Sequence, residues 1–254
     1  MSSPKISAVI IARNEAHNIE DAIASLNFAS QIVVADSGSR DNTVELARRA
    51  GAEVHGIEFD GFGPSKNRAL QFCRNEWIFS LDADERVSPE LAANILKAVG
   101  KDSGPDGYLV SRLTYFLGKP IRHSGWYPEH ILRLFRRGKG QFTERLVHEN
   151  ITLDGTLGQL EGPLYHYSYR DLGSYLDKLQ EYSTLSAREL YGGGRRFRLT
   201  DILLYPPAIF CKMYLLKAGF LDGYHGLLLA LLSSFHVLIK YAKLRELSRQ
   251  PTAK

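Results

Sequence analysis

The first hundred residues alternate short apolar runs with stretches of helical periodicity, and nothing else in the chain limits its fold so tightly. Ile6–Ala12 is an unbroken apolar run of strand length, and Ile19, Ala22, Ile23 and Leu26 then recur at helical spacing. A second strand is predicted over residues 31–35, a short helix over 43–50 closed by Gly51, and a third strand over 52–57. A helix follows over 66–73, a fourth strand over 77–81, and a helix with Ser88 as its N-cap, Pro89 at its first position and Gly100 beyond its end. Strands that are apolar on both faces and joined by helices must be covered on both sides. That pattern predicts βαβ units around a parallel sheet, an α/β fold.

After Gly104-Pro105 the pattern changes. Residues 107–168 are rich in β-branched, aromatic and glycine residues, with turn signals at Gly118-Lys119-Pro120 and Gly138-Lys139-Gly140. Short, largely antiparallel strands added to the sheet are expected. A helix is predicted over 171–191, with Leu172, Tyr175, Leu176, Leu179, Tyr182 and Leu185 on one side and Gly192-Gly193-Gly194 stopping it. The organisation read from the sequence is therefore three successive parts, 1–105, 106–191 and 192–254.

The last part is apolar and basic. Residues 186–254 hold 11 Lys and Arg against 4 Asp and Glu, whereas residues 1–185 hold 21 against 24. The tail thus carries +7 and the body −3, which points the tail toward phosphate-bearing partners. Its apolar run 202–221 is broken by Pro206-Pro207, Lys212 and Lys217, and the run 227–239 contains Ser233, Ser234 and His236. A spanning helix needs about 20 apolar residues, so neither run is expected to cross a bilayer. The expected form is a pair of amphipathic helices, packed on the domain or on a second subunit, or lying at an anionic membrane surface. Cys73 and Cys211, the only cysteines, exclude a disulfide framework, and no secretory signal is visible; both suggest a cytoplasmic protein.

In an open parallel sheet, ligands collect at the carboxyl ends of the strands. Polar clusters follow three of the predicted strands: Arg13-Asn14-Glu15, Asp36-Ser37-Gly38-Ser39 and Asp82-Ala83-Asp84-Glu85. Neither a G-x-G-x-x-G turn nor a phosphate-binding P-loop is present, which disfavours dinucleotide-binding and P-loop folds. The acidic cluster suggests a divalent cation held on a diphosphate, since Mg²⁺ and Mn²⁺ favour carboxylate and phosphate oxygens.

The segments Ile10-Ile11-Ala12-Arg13-Asn14-Glu15, Asp36-Ser37-Gly38-Ser39-Arg40-Asp41-Asn42-Thr43 and Leu81-Asp82-Ala83-Asp84-Glu85 resemble the family 2 glycosyltransferases of the GT-A fold. With Leu146-Val147-His148-Glu149, His166-Tyr167-Ser168-Tyr169 and Gly219-Phe220-Leu221-Asp222-Gly223, the whole chain is similar to bacterial lipopolysaccharide-core glycosyltransferases of the β-1,4-glucosyltransferase type. The resemblance implies a GT-A domain with a mixed sheet, its nucleotide-sugar half in 1–105 and its acceptor half in 106–191. It implies inverting transfer of a hexose, glucose first among the candidates, from a UDP-sugar to a lipid-linked saccharide, with Mg²⁺ or Mn²⁺ and without a nucleic-acid partner. Such an enzyme would sit peripherally on the inner face of the cytoplasmic membrane. A polyprenyl phosphate or peptide acceptor, or a non-catalytic scaffold that binds nucleotide sugars, is the alternative.

The resemblance also implies residue roles. Asn14 and Glu15 would meet the nucleoside and ribose, Asp36 the uracil, and Lys66 and Asn67 the base and diphosphate. Asp82 and Ala83 would line the nucleotide sugar. Asp82 and Asp84 match the metal motif, with Asp84 as the direct ligand, and His166 would complete the site. Trp126 and Tyr127 would form a stacking platform for the acceptor. The catalytic base, which must take a proton from the attacking hydroxyl, is assigned to Glu149 ahead of Glu129, Glu144 and Glu161, with His148 beside it. Structural alternatives stay open: Glu15 as an acid at a helix start, Asp36 as a turn residue, Asp41 as a helix cap, Lys66 as a solvated charge, Glu149 paired with Arg133 or Arg145, and His166 as a core histidine. The second strand departs from the family in carrying one acid, Asp36, where two are common.

Overall fold

Apolar runs become buried strands. Ile6–Ala12 (β1) is buried at six of its seven positions, and it lies between Gln31–Asp36 (β2) and Trp77–Asp82 (β4), parallel to both. Glu53–Gly56 (β3) extends the parallel set beyond β2. The computed structural model describes residues 5–101, 103–143 and 150–249. They divide into two compact units, one within residues 5–112 and 129–166 and the other within 113–128 and 167–249, so the units interleave in sequence.

In the first unit the connecting helices are Ile19–Ala24 (α1), Thr43–Arg49 (α2), Phe62–Leu70 (α3) and Pro89–Val99 (α4). Helix α4 starts as the sequence predicts, Ser88 accepting the N–H of Leu91 with Pro89 behind it. Helix α3 begins four residues earlier than expected. Pro64 falls in its first turn, where the missing N–H is not needed. The later strands are Glu85–Val87 (β5), Gly107–Phe116 (β6), Lys119–Pro120 (β7), Glu129–Arg136 (β8), Gly140–Phe142 (β9), Ile151–Leu153 (β10) and Leu157–Tyr169 (β11). The order across the sheet is β3-β2-β1-β4-β8-β6-β11-β5, with β9 and β10 forming a separate hairpin. The β4–β8, β8–β6 and β11–β5 pairings are antiparallel. The sheet is therefore mixed, as the resemblance implies. Two of the expected short strands are long: β6 has 10 residues and β11 has 13. The larger core cluster packs Ile6, Ile10, Phe79 and Leu81 against Leu26, Leu91 and Ile95; a smaller one joins Val9, Val33, Ile78 and Phe135 to α3 through Ala69.

The second unit is built on Leu172–Gly192 (α5), Leu199–Cys211 (α6) and Tyr224–Arg249 (α7). Asp171 caps α5 by accepting the N–H of Ser174 at 2.7 Å. The buried stripe of α5 is Tyr175, Leu179, Ser183 and Ala187, four residues apart. Leu172, Leu176, Tyr182 and Leu185, which the sequence groups on one side with Tyr175 and Leu179, are 36–43% exposed. Helix α6 continues through Pro206 and Pro207 and runs directly into a π-helical turn, Lys212–Leu216. Ala218 then takes a left-handed conformation, and a 3₁₀ turn, Gly219–Asp222, leads into α7. The run Leu199–Leu216 has 18 residues and α7 has 26, and by length and composition both suffice to cross a membrane. The sequence reading held the run 202–221 too interrupted and the run 227–239 too short to span; on length and composition that is corrected, because each helix continues through the polar positions that break its apolar run.

Candidate active site

Three loops meet at the carboxyl ends of the parallel strands in the first unit. After β1, Asn14 adopts φ +57°, a left-handed conformation that asparagine tolerates better than most residues. That turn lets its N–H donate to Ser39 Oγ at 2.9 Å, while its own Oδ1 accepts the N–H of Arg40 at 2.8 Å. The N–H of Glu15 donates to Thr43 Oγ1 at 2.8 Å, and the Glu15 carboxylate accepts from Asn18 at 2.7 Å. Asp41 accepts the N–H groups of both Ala16 and Thr43, so it joins the first loop to the start of α2. Asp36 is buried and accepts from the N–H groups of Gly38 and Ser39 and from the Ser39 hydroxyl. Asn14, Asp36 and Asp41 thus shape the loops on which Glu15 and Ser39 are displayed.

The turn Asp82-Ala83-Asp84-Glu85 links β4 to β5. Asp82 is held by two cations: Lys66 Nζ donates to its Oδ1 at 2.8 Å and Arg133 Nη2 to its Oδ2 at 2.6 Å. Burial opposes ionisation of Asp82, but Arg133 and Lys66 outweigh it and hold the carboxyl well below the usual carboxylate range. Lys66 is buried and sits 5.2 Å from the centre of the Phe142 ring, which answers the alternative of a solvated lysine. Asn67 spends both ends of its amide on the backbone of Phe142, at 2.8 and 2.9 Å, and so fastens α3 to β9.

Two participants were given no role in the site from the sequence. Glu85 is fully buried; it accepts from Arg133 at 2.6 Å, from the N–H of Asp82 at 3.0 Å and from Arg112 at 3.4 Å. Arg133, 5% exposed, bridges Glu85 and Asp82, and its Nε is buried without a hydrogen-bond partner among the described residues. An arginine inside the apolar run Leu132-Arg133-Leu134-Phe135 was the available signal, because such a charge is buried only with partners. Arg112 grips one oxygen of exposed Glu129 with Nε and Nη2, at 3.0 and 2.8 Å. Arg86 ties the turn to the first loop through the carbonyls of Ala83 and Asn18, at 2.9 and 2.8 Å.

Asp84 turns the other way. Its Oδ2 lies 3.3 Å from His166 Nε2, because β11 pairs with β5 in a register that sets His166 opposite Glu85. Both side chains are largely buried. Among the described residues no cluster of three or more His, Cys, Asp or Glu is gathered. One carboxylate and one imidazole nevertheless fit Mn²⁺ or Mg²⁺, ions that take few protein ligands when substrate phosphates supply the rest. Asp82 is paired with Lys66 and Arg133. Glu144, His148 and Glu149 lie outside the described residues, as does Arg145. Glu161 is exposed, and its carbonyl accepts from Asn94. In the second unit, Trp126 packs edge-on to Phe116 and beside Tyr169, within an aromatic cluster that also holds Tyr175; Tyr127 is half-buried.

Comparison with known proteins gives the family. The family model described as glycosyl transferase family 2 matches residues 7–152. The chain is 30% identical over 251 residues to the lipopolysaccharide core biosynthesis glycosyltransferase LpsC of Rhizobium meliloti, covering 94% of this chain and 91% of that protein. It is 28% identical to an uncharacterized glycosyltransferase of Rickettsia typhi, over 96% of this chain and 88% of the relative. Among solved structures, glucosyl-3-phosphoglycerate synthase from Mycobacterium tuberculosis, determined with Mn²⁺, UDP and glucosyl-3-phosphoglycerate and also with Mg²⁺ and UDP, matches at 25% identity and a TM-score of 0.38. That match spans 44% of each chain, less than half of the mycobacterial enzyme. A family model covering more than half the chain and a relative aligned over nearly all of it lead to one conclusion: the protein is a glycosyltransferase and belongs to glycosyl transferase family 2.

Proposed function

We propose that this glycosyltransferase moves a hexose, glucose in the first instance, from a UDP-sugar to a lipid-linked saccharide such as the lipopolysaccharide inner core, with inversion at the anomeric carbon. The observation that carries the reading is the Asp84–His166 pair at the end of β4, beside an Asp82 carboxylate already neutralised by Lys66 and Arg133. A divalent cation bound there would stabilise the leaving diphosphate. Around it, Lys66 and Arg133 hold the turn rigid, and Glu85 fixes Arg133 from behind. The loops bearing Asn14, Glu15 and Asp36 would receive the nucleoside. Glu149 would accept the proton of the attacking hydroxyl, and Trp126 and Tyr127 would contact the acceptor. The likeness to LpsC, named for lipopolysaccharide core biosynthesis, supports a saccharide on lipid as the acceptor. The proposed workplace is the inner face of the cytoplasmic membrane.

The test is UDP release by purified protein against a panel of UDP-sugars, with and without truncated lipopolysaccharide acceptor, in Mn²⁺, Mg²⁺ and chelator. Acceptor-stimulated release from one UDP-sugar, lost in chelator, supports the reading. Release stimulated by a polyprenyl phosphate instead would replace the acceptor, and binding of UDP without turnover on any acceptor would make the protein a carrier.

A further inference from the structure

The second unit carries apolar surface on the outside of a helix. Along α6 and the π-helical turn that continues it, Leu203, Leu204, Pro207, Cys211, Leu215 and Leu216 recur at three- and four-residue spacing, and all are exposed. Leu203 is 60% exposed, Leu204 63% and Leu216 81%. The opposite side of α6 is apolar too: Ile202 packs against the cluster of Ala187, Tyr241 and Leu244, and Tyr205 stacks on Tyr241. Phe220, Leu221 and Tyr224 carry the exposed apolar strip around the turn. A helix of a water-soluble protein normally turns its polar side outward; this one has no polar side.

The charges around the strip are of one sign. Between residues 190 and 245 the sequence holds two acids, Asp201 and Asp222, and both are buried, at 1% and 4% exposure. Arg196, Arg198, Lys212 and Lys217 are exposed. The surface offered to solvent is therefore apolar, rimmed by cations, and free of carboxylates. That combination complements an anionic lipid bilayer: acyl chains for the leucines and phosphates for the lysines and arginines.

The hairpin is also fastened to its own unit at both ends. At the turn, Asp222 accepts the N–H groups of Arg122 and His123 at 3.2 and 2.9 Å, and its carbonyl accepts Lys119 Nζ at 3.1 Å. Gly219 and Gly226 permit this close turn, because a Cβ on Gly226 would stand 1.8 Å from the Gly219 carbonyl oxygen. At the open end, Lys243 of α7 donates to Gln180, Ser183 and Thr184 of α5 at 2.7–2.9 Å. A helix pair held at both ends along its unit presents its long side, of about 27 Å for 18 residues, and not its tip.

We propose that α6 and its π-helical extension dock the protein flat on an anionic membrane, lying in the headgroup plane with Leu203, Leu204, Leu215, Leu216 and Phe220 in the acyl boundary and without crossing the bilayer. The proposal rests on the reading of a lipid-borne acceptor, and it supplies the surface that brings the enzyme to it. Length and composition alone would allow α6 and α7 to span; the fastenings at both ends decide for the flat arrangement.

The experiment is flotation of the full-length protein with phosphatidylglycerol–phosphatidylcholine vesicles, combined with depth measurement. Binding is expected at low salt, weakened but not abolished at high salt. Leu204→Glu and Leu216→Glu should each weaken vesicle binding roughly ten- to a hundred-fold, the scale of one lost leucine insertion, while the melting temperature and UDP binding stay unchanged. A fluorophore on Cys211, and on Leu204→Cys or Leu216→Cys in a Cys211→Ser background, should be quenched to the same depth by spin-labelled lipids at all three positions; Cys73 is buried. A depth that changes progressively from 204 to 216 would show a spanning helix and overturn the proposal. So would absence of flotation at low salt, or a dimer that Leu216→Glu splits with vesicle binding unaffected, which would make a second copy the occupant. Flotation needs neither donor nor acceptor: flotation without sugar transfer defeats the proposed function alone, and transfer without flotation defeats this docking alone.

Discussion

Asp84 Oδ2 and His166 Nε2 stand 3.3 Å apart, brought together by the antiparallel register of β5 on β11. Neighbours in the chain play no part in this pairing; one strand register creates it. It separates two aspartates that look equivalent in Asp82-Ala83-Asp84, leaving Asp82 to the cations and Asp84 to the histidine.

The first prediction follows from that division. Asp84→Ala and His166→Ala should each remove most of the Mn²⁺ dependence of UDP binding, read by calorimetry with and without the ion. Asp82→Asn should weaken UDP binding through disorder of the turn while keeping the metal dependence. Unchanged metal dependence in both Asp84→Ala and His166→Ala would remove the pair from the metal site.

Arg133 is the second test. It is 5% exposed and divides one guanidinium between Asp82 and Glu85. Arg133→Met should leave Asp82 with Lys66 alone and buried Glu85 with the more distant Arg112, and cost up to about 3–5 kcal/mol in urea unfolding, the usual penalty for breaking a buried ion pair from one side. Adding Glu85→Gln to Arg133→Met should cost less than the sum of the single changes, because the partner charge disappears with it.

Acid stability is the third. The carboxyl of Asp82 is held below its ordinary value, so the unfolded chain takes up this proton first as pH falls. The contribution of Asp82 is therefore complete above about pH 4, the range of an unperturbed aspartate. It is lost as the pH falls through the lowered folded value. Denaturant midpoints measured from pH 5 downward should fall more steeply for the native chain than for Asp82→Asn; parallel curves would deny the network this role.

The base can be assigned by kinetics. Two nitrogens of Arg112 already occupy one carboxylate oxygen of Glu129. Glu129→Gln should therefore change kcat by less than about ten-fold, whereas Glu149→Gln should lower kcat by about 10² to 10⁴ with donor binding intact. The reverse pattern would exchange the two roles.

The hairpin turn offers a stability test. Gly226→Ala would set a methyl group against the Gly219 carbonyl. A loss of about 1–3 kcal/mol is expected from such overpacking, measured as a lowered melting temperature. Gly192→Ala, with open space around its Cα, should be close to neutral.

Much of the first unit was legible in the chain. The continuous apolar runs β1, β2 and β4, the Ser88-Pro89 start of α4 and the polar clusters after the strands are local features. Local rules of burial, capping and turn formation determine them wherever the segment ends up. The same holds for the charge bias of the tail, which is a matter of composition. Other features depended on partners far away in sequence. Glu85 and Arg133 read as one more acid and one misplaced base until β8 is set beside β4, where each meets the charge that makes its burial affordable. His166 was expected to complete the metal site, with a core histidine as the alternative, and it meets Asp84 only when β11 takes its register on β5. The buried face of α5 was not legible, because leucines at 172, 176 and 185 suit burial by type, while packing chose Tyr175, Leu179, Ser183 and Ala187 instead. The outward leucines of α6 are the same case in reverse. Hydrophobicity alone sends them inside, and only the tertiary structure, in which α7 already covers the other face, shows that they remain outside.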